Sequence, residues 1–222
     1  MTSVDNGRAV IFDLDGVLID TCWAHWQSWH DLARREGFEM PEEFFRSTFG
    51  MQSPEVLAML LGPDKPVEKL KALAEWKETR YRQIIADKLE PADGVRLLLE
   101  DLKNRNFRVA VGSSTPRVNV SFLIERIGVQ DYFDELVSEE DVTKGKPAPD
   151  TFLKAAEKLS LPPDRCVVVE DAVKGVAAGK AAGMPVVAVT TTWSRAELTQ
   201  ADVIVDSLTE IGADDFIRLL SR

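Results

Sequence analysis

Six short apolar, β-rich runs, separated by stretches with helical spacing, limit the folds open to this chain more than any other feature. The runs are Ala9 to Phe12, Phe107 to Val111, Glu135 to Val137, Cys166 to Val169, Val186 to Val189 and Val203 to Val205. Between them, Val95 to Arg105, Arg117 to Ile127, Asp150 to Leu159 and Lys174 to Ala182 repeat apolar residues every three to four positions, as helices with one buried face require. Strands that alternate with helices predict a parallel, doubly wound α/β sheet with a Rossmann-like core. Gly128 and Gly183 fall where two of the helices should stop.

One interval breaks the alternation. From about Thr21 to Leu89 the pattern is helical only: Trp23, Trp26, Trp29 or His30, and Ala33 recur at helical spacing, which reads as core rather than as a ligand platform. Ser53-Pro54 reads as an N-cap and first helical position, with Gly62 as the stop. A second, smaller α-helical domain inserted over residues 21–89 is therefore expected, with residues 1–20 and 90–222 forming the Rossmann-like core. Its hinges would lie near Ile19 to Thr21 and Glu90 to Gly94.

The chemistry-bearing residues follow the apolar runs. The first run ends in Asp13-Leu14-Asp15-Gly16, and the carboxyl edge of an open α/β sheet is where ligands bind. Asp and Gly also make turns, so a simple exit from the strand would use the same residues. The second run leads into Ser113-Ser114-Thr115, whose hydroxyls and amides at a helix start suit a phosphate and would equally suit an N-cap. The third is followed by Lys144-Gly145-Lys146-Pro147-Ala148-Pro149, in which two prolines restrict the backbone and fix where Lys146 points. The fourth ends in Glu170-Asp171, and Gly175 and Gly179 then permit a close helix approach. Asp13, Asp15, Glu170 and Asp171 brought together would repel one another unless a divalent cation offsets their charge. Oxygen-only ligands favour Mg²⁺.

Charge and composition exclude several classes. A net charge of −10, without a basic stripe, argues against a nucleic-acid partner. The first residues lack a signal-peptide pattern, and no apolar run approaches the roughly 18 residues of a membrane span. Cys22 and Cys166 are too few for a disulfide framework. Cys166 opens a strand and reads as core, and Cys22 reads as packing before it reads as a reactive thiol. The chain is thus expected in the cytoplasm, as a monomer without nucleic-acid or membrane partners.

In the order Asp13-Leu14-Asp15-Gly16-Val17, Ser113, Gly145-Lys146-Pro147 and Glu170-Asp171, the chain resembles the haloacid-dehalogenase-like phosphotransferases, over nearly its whole length, and the helical insertion over residues 21–89 looks like that family's small specificity cap on a catalytic core of residues 1–20 and 90–222. The resemblance implies that Asp13 is a nucleophile forming an aspartyl phosphate and that Asp15 is the general acid and base. It implies Mg²⁺ as cofactor, held by Asp13, the backbone carbonyl of Asp15 and Asp171, with Glu170 adjacent. Ser113 and Lys146, with Ser114 beside them, would bind the phosphoryl oxygens. The acid at Asp15 distinguishes the chain from true dehalogenases, which lack it.

The chain looks like the β-phosphoglucomutase-like branch, which implies that Thr21, His25 and Lys77 contact Asp15 or substrate. Where that branch's mutase carries a phosphate-gripping arginine, this chain has Ser53, with Arg46, Arg80 and Arg82 as other cap cations. The expected activity is Mg²⁺-dependent hydrolysis of a small phosphorylated metabolite, such as a sugar phosphate. The alternatives are intramolecular phosphotransfer of the β-phosphoglucomutase type and a non-catalytic binding module.

Overall fold

Strand β1 (Arg8–Phe12) lies at the centre of a six-stranded sheet, between β2 (Phe107–Gly112) and β4 (Cys166–Glu170). Strands β3 (Glu135–Val137), β5 (Val186–Val189) and β6 (Val203–Val205) complete the order β3-β2-β1-β4-β5-β6, and every pairing is parallel. The computed structural model describes residues 7–62, 64–86 and 88–221. The doubly wound sheet expected from the alternating runs is present, with strand ends within one residue of those read from the sequence.

Both sheet faces are buried, so each strand is apolar at every position and the side chains divide by parity. Val10, Phe12, Val109, Val111, Val167 and Val169 face one core. Against them pack α5 (Val95–Asn104), α6 (Arg117–Arg126) and α9 (Ala213–Leu220), through side chains such as Leu98, Leu102, Leu123 and Phe216. Ala9, Ile11, Ala110, Cys166, Val168 and Val186 face the other core, covered by α7 (Asp150–Lys158) and α8 (Val173–Ala181). Small residues dominate that second face and let α8 lie close to the sheet: a Cβ on Gly179 would come within 2.7 Å of Val186.

Helices α1 (Cys22–Glu36), α2 (Glu42–Thr48), α3 (Ser53–Leu61) and α4 (Val67–Ile85) separate β1 from α5. They carry a core of their own that includes Trp29, Leu32, Phe45, Leu57, Leu70 and Leu73. The two connecting segments are tied together where the Ala92 amide donates to the Leu18 carbonyl (2.9 Å).

Two sequence expectations are corrected here. Gln52, not Ser53, is the residue before α3, and no side chain caps that helix; the Ser53 hydroxyl instead donates to Glu78 Oε1 at 2.6 Å. Trp23 is not core: it is 38% exposed and carries Lys88 over its ring. Trp29 is buried and Trp26 packs against the helical core as expected.

Candidate active site

The carboxyl ends of β1, β2 and β4 place Asp13, Ser113 and Glu170-Asp171 along one edge of the sheet. The ladder is extended by one bond at each of two ends, Asp13 N–H to the Val169 carbonyl (2.9 Å) and Ser113 N–H to the Val137 carbonyl (3.0 Å). This backbone pairing fixes the first side chain beyond each strand. The carboxylates of Asp13, Glu170 and Asp171 converge there, buried, with one oxygen of each within 4.8 Å of the others.

The three carboxylates are not equivalent. Lys146, whose ammonium is buried, donates to Asp13 Oδ1 and Glu170 Oε1, each at 2.6 Å. Burial alone would lower the Lys146 pKa, but the two carboxylates outweigh it and hold the ammonium well above its ordinary value. The other oxygen of Glu170 accepts the backbone amides of Asp171 and Ala172, both at 2.8 Å. Glu170 is therefore fully engaged in holding Lys146 and the loop after β4, rather than standing open to a cation.

Asp171 is the opposite case. Both its oxygens are buried without a hydrogen-bond donor. Burial, then Glu170 and Asp13, push its carboxyl well above the usual range, and the nearby Thr192 hydroxyl offsets this only in part. Asp13 is pushed up to about 7, chiefly by burial and then by Glu170 and Asp15, against the pull of Lys146. Gly16 is needed for this packing: its φ is +84°, and a Cβ would lie 1.9 Å from Asp171 Oδ2. A buried, donor-less carboxylate is costly without a partner, and hard oxygen ligands beside open space fit Mg²⁺. The residues present fit the ion through Asp171 and Asp13.

Asp15 lies two residues on but its carboxylate stands apart from that cluster. The Thr21 hydroxyl (2.7 Å) and Tyr81 hydroxyl (3.1 Å) donate to its Oδ1, His25 Nε2 lies 3.2 Å from the same oxygen, and the Thr115 hydroxyl (2.9 Å) donates to Oδ2. Burial raises the Asp15 carboxyl, but His25, Thr21 and Thr115 outweigh it and hold it far below the usual carboxylate range. The side chain of Asp15 is thus committed to hydrogen-bond donors, and it is only its backbone carbonyl that the resemblance implies as a metal ligand.

A chain of contacts continues from Asp15 into the inserted helices. Lys77 Nζ lies 2.8 Å from His25 Nδ1. An ammonium donating there makes Nδ1 the acceptor and leaves the proton on Nε2, facing Asp15. Lys77 also donates to Glu78 Oε1 (2.8 Å), which accepts the Ser53 hydroxyl as well, while Asn119 Nδ2 on α6 donates to Glu78 Oε2 at 2.7 Å. Burial raises the Glu78 carboxyl, but Lys77, then His25 and Ser53, bring it below its ordinary value. His25 stacks on Tyr81, with ring centroids 4.1 Å apart.

Ser113, Ser114, Ser53, His25 and Lys77 all line one cavity with Asp13, Asp15, Glu78 and Asp171. Ser113 Oγ accepts the Thr115 amide (3.1 Å), leaving its hydroxyl proton to donate, and Ser114 Oγ is buried without a partner. Thr21 reaches the site through Asp15. Arg46, Arg80 and Arg82 do not line the cavity: Arg46 lies over Trp193, Arg80 pairs with Asp31 at 2.6 Å, and Arg82 bonds Asn119 and Thr79. Cys22 is no activated thiol, since burial, with Asp171 and Asp20, pushes it up to about 11.

Glu78, Tyr81 and Asn119 were not singled out by sequence reasoning, and Thr115, read there with Ser113 and Ser114 as a phosphate contact, instead bonds Asp15. The available signal was spacing: Tyr81 lies four residues after Lys77 and so shares its helix face.

A carboxylate with its own lysine, a second carboxylate held in a different electrostatic state nearby, and a donor-less acid between strand ends are the equipment of enzymes that transfer phosphoryl groups. Residues 10–189 match the family of haloacid dehalogenase-like hydrolases, and the chain belongs to that family. Among its relatives, a phosphorylated carbohydrates phosphatase of Thermotoga maritima is 31% identical, over 80% of this chain and 82% of that one. A β-phosphoglucomutase of Bacillus subtilis is 34% identical, over 80% of each chain. The crystal structure of β-phosphoglucomutase from Clostridium difficile superposes with a TM-score of 0.88 at 28% identity, over 97% of each chain. Within the family the chain is therefore a β-phosphoglucomutase-like phosphatase or phosphotransferase: the family is the one the four motifs implied, and the branch the one read from the helical insertion. Among the described residues, no helix is long and apolar enough to cross a membrane.

Proposed function

We propose that the chain is a Mg²⁺-dependent phosphomonoester hydrolase that acts in the cytoplasm on a small phosphorylated metabolite, a sugar phosphate foremost, through an aspartyl phosphate at Asp13. The observation that carries this reading is geometric: Asp13, with its own lysine at 2.6 Å, converges with the donor-less Asp171 at the strand ends, while Asp15, two residues on, stands apart on hydroxyl donors of its own. Two carboxylates of one loop held in such different surroundings can divide the work of nucleophile and acid/base.

In this reading Asp13 attacks phosphorus in line, and the bond from phosphorus to the substrate oxygen breaks as Asp15 delivers a proton to that oxygen. Water then attacks the acyl phosphate and Asp15 takes its proton back, so that two easier steps replace one. Ser113, Ser114 and Lys146 hold the phosphoryl oxygens and position them for attack. Mg²⁺ held by Asp13 and Asp171 would offset the charge between carboxylate and phosphate.

Residues 21–89 act as a specificity cap over a core of residues 1–20 and 90–222. The cavity offers only about 50 Å³ of space that water can enter, against about 300 Å³ or more for sites that hold a metabolite. Substrate therefore enters with the helices displaced. That displacement strips Thr21, His25 and Tyr81 from Asp15 and lets its carboxyl take up the proton it must deliver.

The test is a panel of phosphorylated metabolites assayed with and without Mg²⁺. Turnover should rise about 100-fold or more with the ion; no Mg²⁺-stimulated activity on any member would leave a binding module as the better reading. Full conversion of β-glucose 1-phosphate to its 6-phosphate isomer, with little free phosphate, would instead favour the mutase.

The metal site also carries a stability prediction. A carboxyl whose folded pKa lies above its unfolded value contributes stability at low pH that is lost as pH rises through the folded pKa. Asp13, raised from 3.8 to about 7, and Asp171 both shift that way, so the metal-free protein should weaken as pH rises from about 4 to about 7, and the ion, which needs Asp13 ionised, should bind best above that range. Mg²⁺ should consequently raise Tm more at pH 8 than at pH 6; an equal rise at both would contradict these assignments.

A further inference from the structure

The cavity contains no uncommitted cation. Among the described residues lining it, the one lysine or arginine is Lys77, with His25 beside it; Lys146 is not in that lining but touches two carboxylates that are. Lys146 bridges Asp13 and Glu170 at 2.6 Å to each. Lys77 lies 2.8 Å from Glu78, donates to His25, and sits 5.1 Å from the centre of the Trp29 ring. The buried pair Lys77 and Glu78 therefore leaves the cap half of the cavity without net charge. What that half offers instead is acceptors and hydrocarbon. Glu78 has three donors on its two oxygens, which leaves one of about four acceptor positions open. The Ser53 oxygen donates its only proton to Glu78 and keeps its lone pairs, and Trp29, Phe45, Phe49 and Val56 form the wall.

We propose that Glu78 is the specificity-determining residue of the cap: by neutralising Lys77 it restricts the enzyme to monophosphates whose remainder is uncharged and hydroxyl-bearing, and excludes bisphosphates. The inference rests on the phosphatase reading above. With one phosphoryl group at Asp13, whatever is attached to it must lie against Ser53, Lys77 and Glu78 once the helices close. A second phosphate dianion there meets a carboxylate and an already paired ammonium. Burying it without a counter-charge is strongly unfavourable, and an unpaired or like charge is an effective device for rejecting a wrong ligand. A sugar or polyol end meets an open acceptor on Glu78, the Ser53 oxygen and aromatic faces that suit its C–H surface.

The test compares a hexose 6-phosphate with the matching 1,6-bisphosphate on the full chain. Wild type should favour the monophosphate in kcat/KM by about tenfold or more. Glu78→Gln, which frees the Lys77 charge, should shift that ratio toward the bisphosphate by about tenfold. Equal or better use of the bisphosphate by wild type overturns the proposal, and this arm needs no folded variant. A ratio unmoved in folded Glu78→Gln overturns it too. Calorimetric binding of both sugars to Asp13→Asn separates this proposal from the phosphatase reading. If wild type turns over neither compound nor any member of the metabolite panel, the phosphatase reading fails, while weaker binding of the bisphosphate still supports the charge selection. Equal or tighter bisphosphate binding, or binding of neither, overturns it.

Discussion

Asp13→Asn is expected to lower kcat/KM for any phosphomonoester substrate by about 10⁴-fold or more, the scale seen when a covalent nucleophile is removed, while leaving the protein folded. The substitution preserves shape, and the asparagine carbonyl still accepts from Lys146, which keeps its second partner Glu170 at 2.6 Å. What disappears is the anionic oxygen that would bond to phosphorus. Stability should move the other way at alkaline pH: with the Asp13 carboxyl pushed up to about 7, its ionisation in the metal-free protein costs free energy that the neutral amide avoids. Steady-state kinetics with thermal melts at pH 8 check both parts. Residual activity above about one hundredth of wild type would remove Asp13 from the nucleophile's role.

That residue was legible in the sequence because its signal is local. A run buried on both faces has to be apolar throughout, so the abrupt change at Asp13 identifies the end of β1, and the equivalent change at Glu170 identifies the end of β4. Parallel pairing of those strands then brings the two ends together without further information. What each acid does once there depends on distance. Glu170 and Asp171 are neighbours in the chain, yet Glu170 is saturated by Lys146 and two amides while Asp171 has no donor. Nothing in the order of the residues distinguishes them.

The helical insertion was less legible for the same reason. Its helical pattern and its stop at Gly62 follow from spacing, but Glu78 and Tyr81 acquire their roles only from the packing of α4 against Asp15 and α6. On a helix, an acid next to a lysine ordinarily reads as a solvated pair. Helix α9 escaped notice because it is short, although Ala213, Phe216 and Leu219 recur at a spacing of three and are buried.

The loop after β4 supplies a severe test of this account, because a single methyl group should disable it. Gly175→Ala sits inside α8, where alanine is worth about 1 kcal/mol over glycine, and the position has no left-handed backbone that would resist a side chain. Propensity alone predicts a stabilised protein. A Cβ there, however, would lie 1.7 Å from Glu170 Oε1 and 1.9 Å from its Cδ, so the carboxylate has to leave. Glu170 cannot move without releasing Lys146 and the amides of Asp171 and Ala172. Breaking a buried pair of this kind costs about 3–5 kcal/mol, which exceeds the gain in propensity. Tm should fall by roughly 5–10 °C, and kcat/KM by about 10²-fold or more as Lys146 loses its fixed position. Glu170→Gln is the informative companion, since it keeps the shape and the amide contacts but not the charge. It should retain more stability than Gly175→Ala while losing activity through Lys146. A Gly175→Ala protein as stable and active as wild type would mean that Glu170 has room to move, and that its grip on Lys146 is not what holds the site together.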